Sequence, residues 1–550
     1  MSTNNTSTIL SNDKDAELSG LFIQACSEKL FGKLNEAEFH FKMCESILPS
    51  SAAVQYELSN LYRLNNKNKE SVEYAEKAVK NNPNNIWYQQ NLIKSYHTIG
   101  KYNQAIAVLK KLIEKNPRNE DLYRQLILEH ELNNQPYKAL EVLNTMEKKF
   151  GYSFDIMYDK VTLLYFMNKP VEVEKELKKY LNIFPNDYKA KEVLAGMFYK
   201  NKEINKAIDL SKELLAQDSL NSTAHLILYD YYIFENNEEK AYYHLNELFK
   251  NPDYDIKDKL GILIKLYNSS RNEKGVDIDI YRLCQTFLST HPMAPEAHSI
   301  YADFLLRDSK KQEAATEYYK AAIFSKNKYA IWEQLLSVEY ELNLYDSMIK
   351  HSNLAIESFP NQPALYFYQG IGYRNLKQYD KAITAYNTAI DYALDNNLLL
   401  ENIYIEMGEL YNEIKKYPES DKYFDNALKI NPENANTLNN YSYYLSLRKE
   451  KLDKAEQMSK KSLDIASDNA NYLDTYAWIL YQEKKYAEAE KWMKMALDKK
   501  HSFIMLEHYG DILYHLNKKD KAMEYWIKSK EAGNTSEILL KKIQTNKIDE

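Results

Sequence analysis

Apolar residues recur along this chain at helical spacing, with Lys, Glu and Asn on the remaining face. Between Ala105 and Leu112 the apolar positions are Ala105, Ile106, Val108, Leu109 and Leu112, a stripe that one side of a 3.6-residue helix would bury. Such stripes come in pairs joined by short polar turns, which predicts an all-helical chain of hairpins.

The hairpins repeat. The small residue opening the second helix of each pair is Ala37, Ser71, Ala105, Ala139, Val173, Ala207 and Ala241, a constant spacing of 34. A small side chain is required where two helices cross closely. Twelve residues further on stand Pro49, Pro83, Pro117 and Pro185, with Gly151 and Ser219 as substitutes. Proline cannot continue a helix and so ends each hairpin. In the first helices, Ser59 with Tyr62, Gly370 with Tyr373 and Gly408 with Tyr411 pair a small residue with an aromatic expected to fill the groove beside it.

These residues carry a resemblance. The run Gly370, Tyr373, Ala382, Tyr386, Ala389, and again Gly408, Tyr411, Phe424, Ala427, Pro432, resembles the tetratricopeptide repeat. About fifteen such hairpins are expected, closed by a capping helix that covers the last apolar face. The resemblance implies a right-handed superhelical solenoid whose first helices line the concave wall.

The register divides the chain into five parts: a disordered polar arm over 1–17, a strictly spaced block over 18–254, an irregular hairpin over 255–293, a second block over 294–534, and the cap and tail over 535–550. Slips mark the second half. Ala241 to Ala314 is 73 residues, placing an insertion near Asn268 to Asp277. Ala382 to Ser420 is 38, placing four extra residues around Asp391 to Leu400, read as loop variation. Ala455 comes one residue late, after Lys449 to Lys451.

Charge and composition narrow the function. The 72 basic and 79 acidic side chains give a net charge of -7 with no basic patch, which argues against nucleic acid. Three scattered cysteines, Cys26, Cys44 and Cys284, form no disulfide framework or metal motif and are read as small buried thiols. No apolar run is long enough for a membrane span. There is no phosphate loop, HExxH or nucleophile elbow, so neither an enzyme nor a cofactor is expected.

A binding surface remains. Repeat phase points a set of side chains in the C-terminal block toward the concave wall: Tyr340, Phe367, Tyr368, Arg374, Glu406, Glu409, Asn440, Tyr443, Asp474, Trp478, Tyr481, His508, Asp511 and Tyr514, flanked by Glu333, Glu341, Glu413, Asn439 and Glu507. Aromatics and carboxylates dominate and bases are scarce, which suits an extended segment of another protein carrying Lys or Arg. The alternative is that these tyrosines, among 48 in the chain, only pack against neighbouring helices. In the N-terminal block, Asn60, Arg63, Lys94 and Arg124 imitate a carboxylate clamp loosely, with Glu57 and Asp121 working against it.

The segments Tyr301–Leu305, Tyr329–Leu336, Asn439–Arg448 and Leu506–Asp511 resemble the long tetratricopeptide outer-membrane lipoproteins of Bacteroidetes. That resemblance implies an envelope assembly or secretion scaffold on the periplasmic face, lipid-anchored if the true N-terminus lies upstream of Met1. Without an upstream signal the expectation becomes a cytoplasmic adaptor or co-chaperone.

Overall fold

In a computed structural model, residues 4–269, 280–325 and 327–548 are described. Thirty-one helices run through them without a strand, as fifteen hairpins and one terminal helix. Two compact units divide at Asn251 and Pro252.

The first unit contains α1 (Asn4–Leu30), α2 (Leu34–Ile47), α3 (Ala52–Leu64), α4 (Asn68–Asn81), α5 (Ile86–Thr98), α6 (Tyr102–Lys115), α7 (Glu120–Leu132), α8 (Pro136–Phe150), α9 (Phe154–Phe166), α10 (Pro170–Ile183), α11 (Tyr188–Lys200), α12 (Ile204–Gln217), α13 (Ser222–Phe234) and α14 (Glu238–Lys250). The second contains α15 (Ile256–Ser269), α16 (Ile280–Thr290), α17 (Pro295–Arg307), α18 (Lys311–Phe324), α19 (Tyr329–Glu341), α20 (Tyr345–Ser358), α21 (Pro363–Asn375), α22 (Tyr379–Tyr392), α23 (Asn397–Glu413), α24 (Tyr417–Ile430), α25 (Ala435–Arg448), α26 (Leu452–Ile465), α27 (Ala470–Gln482), α28 (Tyr486–Lys499), α29 (Phe503–His515), α30 (Lys519–Glu531) and α31 (Glu537–Thr545).

The small residues of the 34-residue register lie where the two helices of a hairpin meet, and all seven from Ala37 to Ala241 are buried. In the hairpins carrying Gly370, Gly408 and Gly510, the ring against the small residue arrives from the second helix, sixteen positions later. A Cβ on Gly370 would meet the Tyr386 ring at 2.5 Å, on Gly408 the Phe424 ring at 3.0 Å, and on Gly510 the Trp526 ring at 2.4 Å. This corrects the pairing expected within one helix. Tyr373 and Tyr411 are only half-buried, whereas Tyr386, Phe424 and Trp526 are fully buried, because the crossing axis brings the second helix onto the notch.

Two further positions share the period. Ser51, Asn85, Ser153, Asp187 and Asn221 each accept a backbone N–H of the helix that follows, satisfying donors left free at a helix start. Gly32, Asn66, Gly100, Asn134, Asn168, Lys202 and Asn236 turn each hairpin at positive φ, a region favoured by Gly and Asn. Within each unit the first helix of a hairpin touches its own second helix and, in several hairpins, the next first helix, as α19 touches α21 and α21 touches α23. First helices therefore form a wall.

The N-terminal segment differs from the expectation. The backbone of residues 4–17 continues α1 as one helix to Leu30 rather than forming an irregular arm. Once the packed turns around Ala25 exist, each added turn needs no new nucleus. The insertion near Asn268 to Asp277 falls almost wholly at 270–279, outside the described residues. The four extra residues near Asp391 to Leu400 are not a loop: α23 has 17 residues where α21 has 13, and Asn396 caps it by accepting from Leu399 N. At the one-residue slip, Lys449 and Lys451 both take left-handed backbone, and Asp421 binds Arg448 at 2.6 Å and Lys451 at 2.5 Å. Cys44 and Cys284 are buried and Cys26 is half-buried, all three as free thiols.

Candidate binding wall

The first helices α19, α21 and α23 share two hollows. Toward their N-terminal ends, Tyr329 and Glu333 of α19, Pro363, Ala364, Phe367 and Tyr368 of α21, and Leu398, Leu399 and Asn402 of α23 line about 480 Å³, together with Gln362 and Asn396 of the preceding turns. Leu398 is 71% exposed, an apolar side chain held open to solvent by the extra turn of α23.

Toward their C-terminal ends the hollow is polar and about 520 Å³, lined among others by Tyr340, Arg374, Lys377, Glu406, Glu409 and Glu413. Arg374 is its hub. Nη1 donates to Glu406 Oε2 at 2.6 Å and Glu409 Oε2 at 3.0 Å, and Nη2 to Glu413 Oε1 at 2.7 Å. Tyr386 donates to the same Glu406 oxygen at 3.2 Å, and Asn440 Nδ2 to Glu409 Oε1 at 3.4 Å.

Three carboxylates converge on one guanidinium, so charge is not balanced within the group. Burial pushes Glu409 above the usual carboxylate range and the neighbouring Glu406 adds to it, against Arg374 and Asn440. Burial opposes the charge on Arg374, but its bonds to Glu413 and the charges of Glu406 and Glu409 outweigh that and hold it protonated. Burial followed by Glu406 likewise raises the Tyr340 phenol. Tyr340 is 45% exposed at the mouth.

Of the fourteen residues singled out by repeat phase, Tyr340, Phe367, Tyr368, Arg374, Glu406 and Glu409 therefore line these two hollows, with Asn440 bonded at their border. The rest are placed otherwise. Tyr443 and Tyr481 are half-buried, and burial pushes Tyr443 up to about 12, helped by Asp474 and Glu507. Trp478 is buried, its ring stacked at 3.9 Å on His508 and 4.6 Å on Tyr481. His508 Nδ1 lies 2.9 Å from Asp474 Oδ1. Tyr514 lies against Trp526 at 5.7 Å.

Asp511 corrects the picture most. It is buried, accepting from Trp526 Nε1 at 2.9 Å and from Lys542 at 2.7 Å, while Lys542 also reaches Glu507 at 2.8 Å. The wall judged poor in base receives its cation from α31, which lies too far along the chain for repeat phase to include. Asp474, Trp478, His508 and Asp511 thus serve internal packing.

Three of the clamp-like residues of the first unit, Asn60, Arg63 and Arg124, are engaged with one another or with acids. Arg63 donates to Asn60 Oδ1 at 2.9 Å, Arg124 pairs with Glu120 at 2.7 Å and Asp159 at 3.2 Å, and Glu57 pairs with Lys29. Leu398, Leu399 and Asn396 were missed by the sequence reading; the four-residue slip was their signal. Among the described residues, no group of three or more His, Cys, Asp or Glu is placed to hold a metal, and no helix is long and apolar enough to cross a membrane.

Comparison with known proteins agrees with the hairpin geometry. Tetratricopeptide-repeat family models match residues 52–85, 282–330, 363–396 and 401–434, which fall on α3–α4, α16–α18, α21–α22 and α23–α24. No curated protein matches the chain. Similar solved structures include a tetratricopeptide repeat protein from Parabacteroides merdae, 14% identical, covering 46% of this chain and 98% of its own with a TM-score of 0.37. Naa15/Naa10 bound to HypK is 14% identical, covering 98% of this chain and 95% of that one with a TM-score of 0.37. The APC/C assembly Cut9–Hcn1 is 13% identical, covering 90% and 96% with a TM-score of 0.40. Notch-and-ring crossings stand in three hairpins of the second unit and repeat models match segments of both units, so the chain carries tetratricopeptide repeats.

Proposed function

We propose that this protein is a non-catalytic scaffold that holds a segment of another protein on the first-helix wall of its second unit. One observation carries the reading: α19, α21 and α23 each contribute to both a hollow of mixed apolar and polar lining and an acidic hollow, so a segment seated there touches three successive hairpins. Repeat walls spread recognition over several hairpins in this way. Truncating a peripheral side chain then costs little, while the anchored centre dominates.

The setting proposed for it is an envelope assembly or secretion complex, supported by the likeness of Tyr301–Leu305, Tyr329–Leu336, Asn439–Arg448 and Leu506–Asp511 to outer-membrane lipoproteins of this repeat class. A cytoplasmic adaptor is the alternative, and fractionation of source cells separates the two: recovery with the envelope supports the first, recovery in the cytosol the second.

The wall itself is tested by placing a photo-crosslinking amino acid at Tyr340, at the mouth of the acidic hollow, and at Tyr137, an exposed residue of α8 in the first unit. A discrete crosslinked protein from Tyr340 and none from Tyr137 is expected. Equal products, or none from Tyr340, would overturn the assignment to this wall.

A further inference from the structure

The two hollows differ in chemistry: the first sets Phe367, Leu398 and Leu399 beside the polar Glu333 and Asn402, and the second is dominated by carboxylates. Phe367 in the apolar hollow and Arg374 in the acidic one are seven residues apart on α21, as are Glu333 and Tyr340 on α19. Seven residues at 1.5 Å rise set these paired positions about 10 Å apart along each helix. An extended segment in polyproline II geometry brings side chains i and i+3 onto one side, about 9 Å apart. A β-extended segment would present i and i+3 on opposite sides.

The extra turn of α23 bears on this. Without residues 397–400 the apolar hollow loses Leu398 and Leu399 from its wall, and the repeat model matches only from residue 401 onward. The insertion that breaks the 34-residue period is thus what builds one wall of the hollow, and it leaves Leu398 71% exposed, an apolar surface still to be covered.

The acidic hollow asks for a cation. Glu406, Glu409 and Glu413 share the single guanidinium of Arg374, and Lys377 at the rim is the other basic residue lining it. Tyr340 and Tyr345 line the same hollow as these carboxylates, and an aromatic ring attracts an ammonium or guanidinium group.

We infer that the wall recognises a two-point motif in its partner, an apolar or aromatic side chain and an arginine or lysine three positions apart on an extended segment. The apolar residue enters beside Phe367 and Leu398, and the basic one beside Tyr340 and Glu413. The inference rests on the scaffold reading and adds to it the chemistry and spacing of what is bound.

The test uses the full-length chain and fluorescein-labelled Ser/Gly peptides of about nine residues, followed by anisotropy. One peptide carries Phe and Arg at i and i+3, in either order; others place them at i and i+1, replace Arg by Glu or Ser, or replace Phe by Ser. The i, i+3 peptide is expected to bind about tenfold tighter than the i, i+1 peptide and than the Glu version, a difference of about 1.4 kcal/mol. Glu413→Lys should weaken the Arg peptide by about tenfold and leave the Arg-to-Ser peptide unchanged, since an exposed carboxylate reversed in sign removes one attraction and adds one repulsion. Leu398→Ser should weaken the Phe peptides alone. Both side chains are exposed enough to be changed without unfolding the hairpin.

Equal affinity across spacings, no binding by any peptide, or indifference to Glu413→Lys would overturn the motif. Because crosslinking at Tyr340 reads the wall without any peptide, a discrete crosslink beside flat peptide data would discard the motif and leave the scaffold reading standing. Absence of the crosslink would discard that reading.

Discussion

Lys542 Nζ lies 2.7 Å from Asp511 Oδ2, and both side chains are buried, 9% and 4% exposed. A cation from α31 closes the open end of the last hairpin by neutralising an acid that Trp526 already binds at 2.9 Å. Burial still holds the Asp511 carboxyl above its usual range despite Lys542, so the pair is held together by geometry and not by comfortable solvation.

Removing one partner of such a pair costs more than removing both. Lys542→Met leaves Asp511 and Glu507 without their cation, and breaking a buried pair typically costs about 3 kcal/mol or more. Undocking of α31 sets a ceiling on that loss. The expected result is a lower urea midpoint at pH 7 that recovers as pH falls. The folded pKa of Asp511 would stand further above its unfolded value, so the folded state takes up the proton first. The double variant Lys542→Met with Asp511→Asn should be more stable than Lys542→Met alone at pH 7; equal or greater destabilisation would refute the account.

Gly510 gives a second, independent test of how the hairpins close. A methyl group there would stand 2.4 Å from the Trp526 ring and 3.2 Å from the Ala522 carbonyl, and Trp526 is fully buried. Overpacking of this kind costs about 1–3 kcal/mol, more than the roughly 1 kcal/mol that alanine gains over glycine in a helix. Gly510→Ala should therefore lower the denaturation midpoint. Gly196→Ala, in α11 with nothing within 4 Å of the new carbon, should raise it slightly. A pair of shifts with the same sign would contradict the notch-and-ring reading.

Much of this architecture was legible because it depends on residue size and phase. The buried row from Ala37 to Ala241 follows from periodicity alone, since a helix crossing tolerates only a small residue at a fixed step. The notch partners were not legible: nothing near Gly370 in sequence distinguishes Tyr373 from Tyr386, and only the crossing of two helices decides between them. The wall divides the same way. Repeat phase placed Arg374, Glu406 and Glu409 on one wall because the period assigns all three to the concave-facing side of adjacent first helices. It also pointed Asp511 toward the open concave wall, because Lys542 follows it by 31 residues on a helix that begins no new hairpin. Leu398 was hidden for the opposite reason. A slip in register resembles a loop until Asn396 is seen to cap it.

His225 and His244 make an acid-sensitive contact in the last hairpin of the first unit. His225 Nε2 lies 2.9 Å from the Ser219 carbonyl and therefore donates to it, which leaves His225 Nδ1 to accept from His244 Nδ1 at 3.0 Å. Burial lowers both imidazoles, His244 to about 4 with the neighbouring His225 adding to the effect; the bond to the Ser219 carbonyl, then Glu247 and Asp218, oppose the shift on His225, Glu247 alone opposes it on His244, and Lys240 reinforces it there. The folded pKa lies below the unfolded value of about 6.5, so the unfolded chain binds more protons in between. Stability contributed by His244 is complete above about pH 6.5 and is lost as pH falls toward 4, by roughly 3 kcal/mol. His244→Gln keeps a donor for His225 and should flatten the fall in urea midpoint between pH 6.5 and 4. An unchanged slope would place the acid sensitivity elsewhere.

The extra turn of α23 should be separable from the hairpin it extends. Asn396 Oδ1 accepts from Leu399 N at 3.1 Å, and losing such a cap typically costs about 1 kcal/mol. The loss should be local, because Leu398 is exposed and only Leu400 of the added residues is buried, while the repeat match begins beyond it at residue 401. Asn396→Ala is therefore expected to leave the global midpoint within about 1 kcal/mol of wild type and to speed amide exchange over residues 397–400 while Ile403 to Leu410 stay protected. It should also weaken the Phe-bearing peptides as Leu398→Ser does. If exchange instead accelerates along the whole of α23, the turn is part of the hairpin core, and its role in shaping the apolar hollow is secondary.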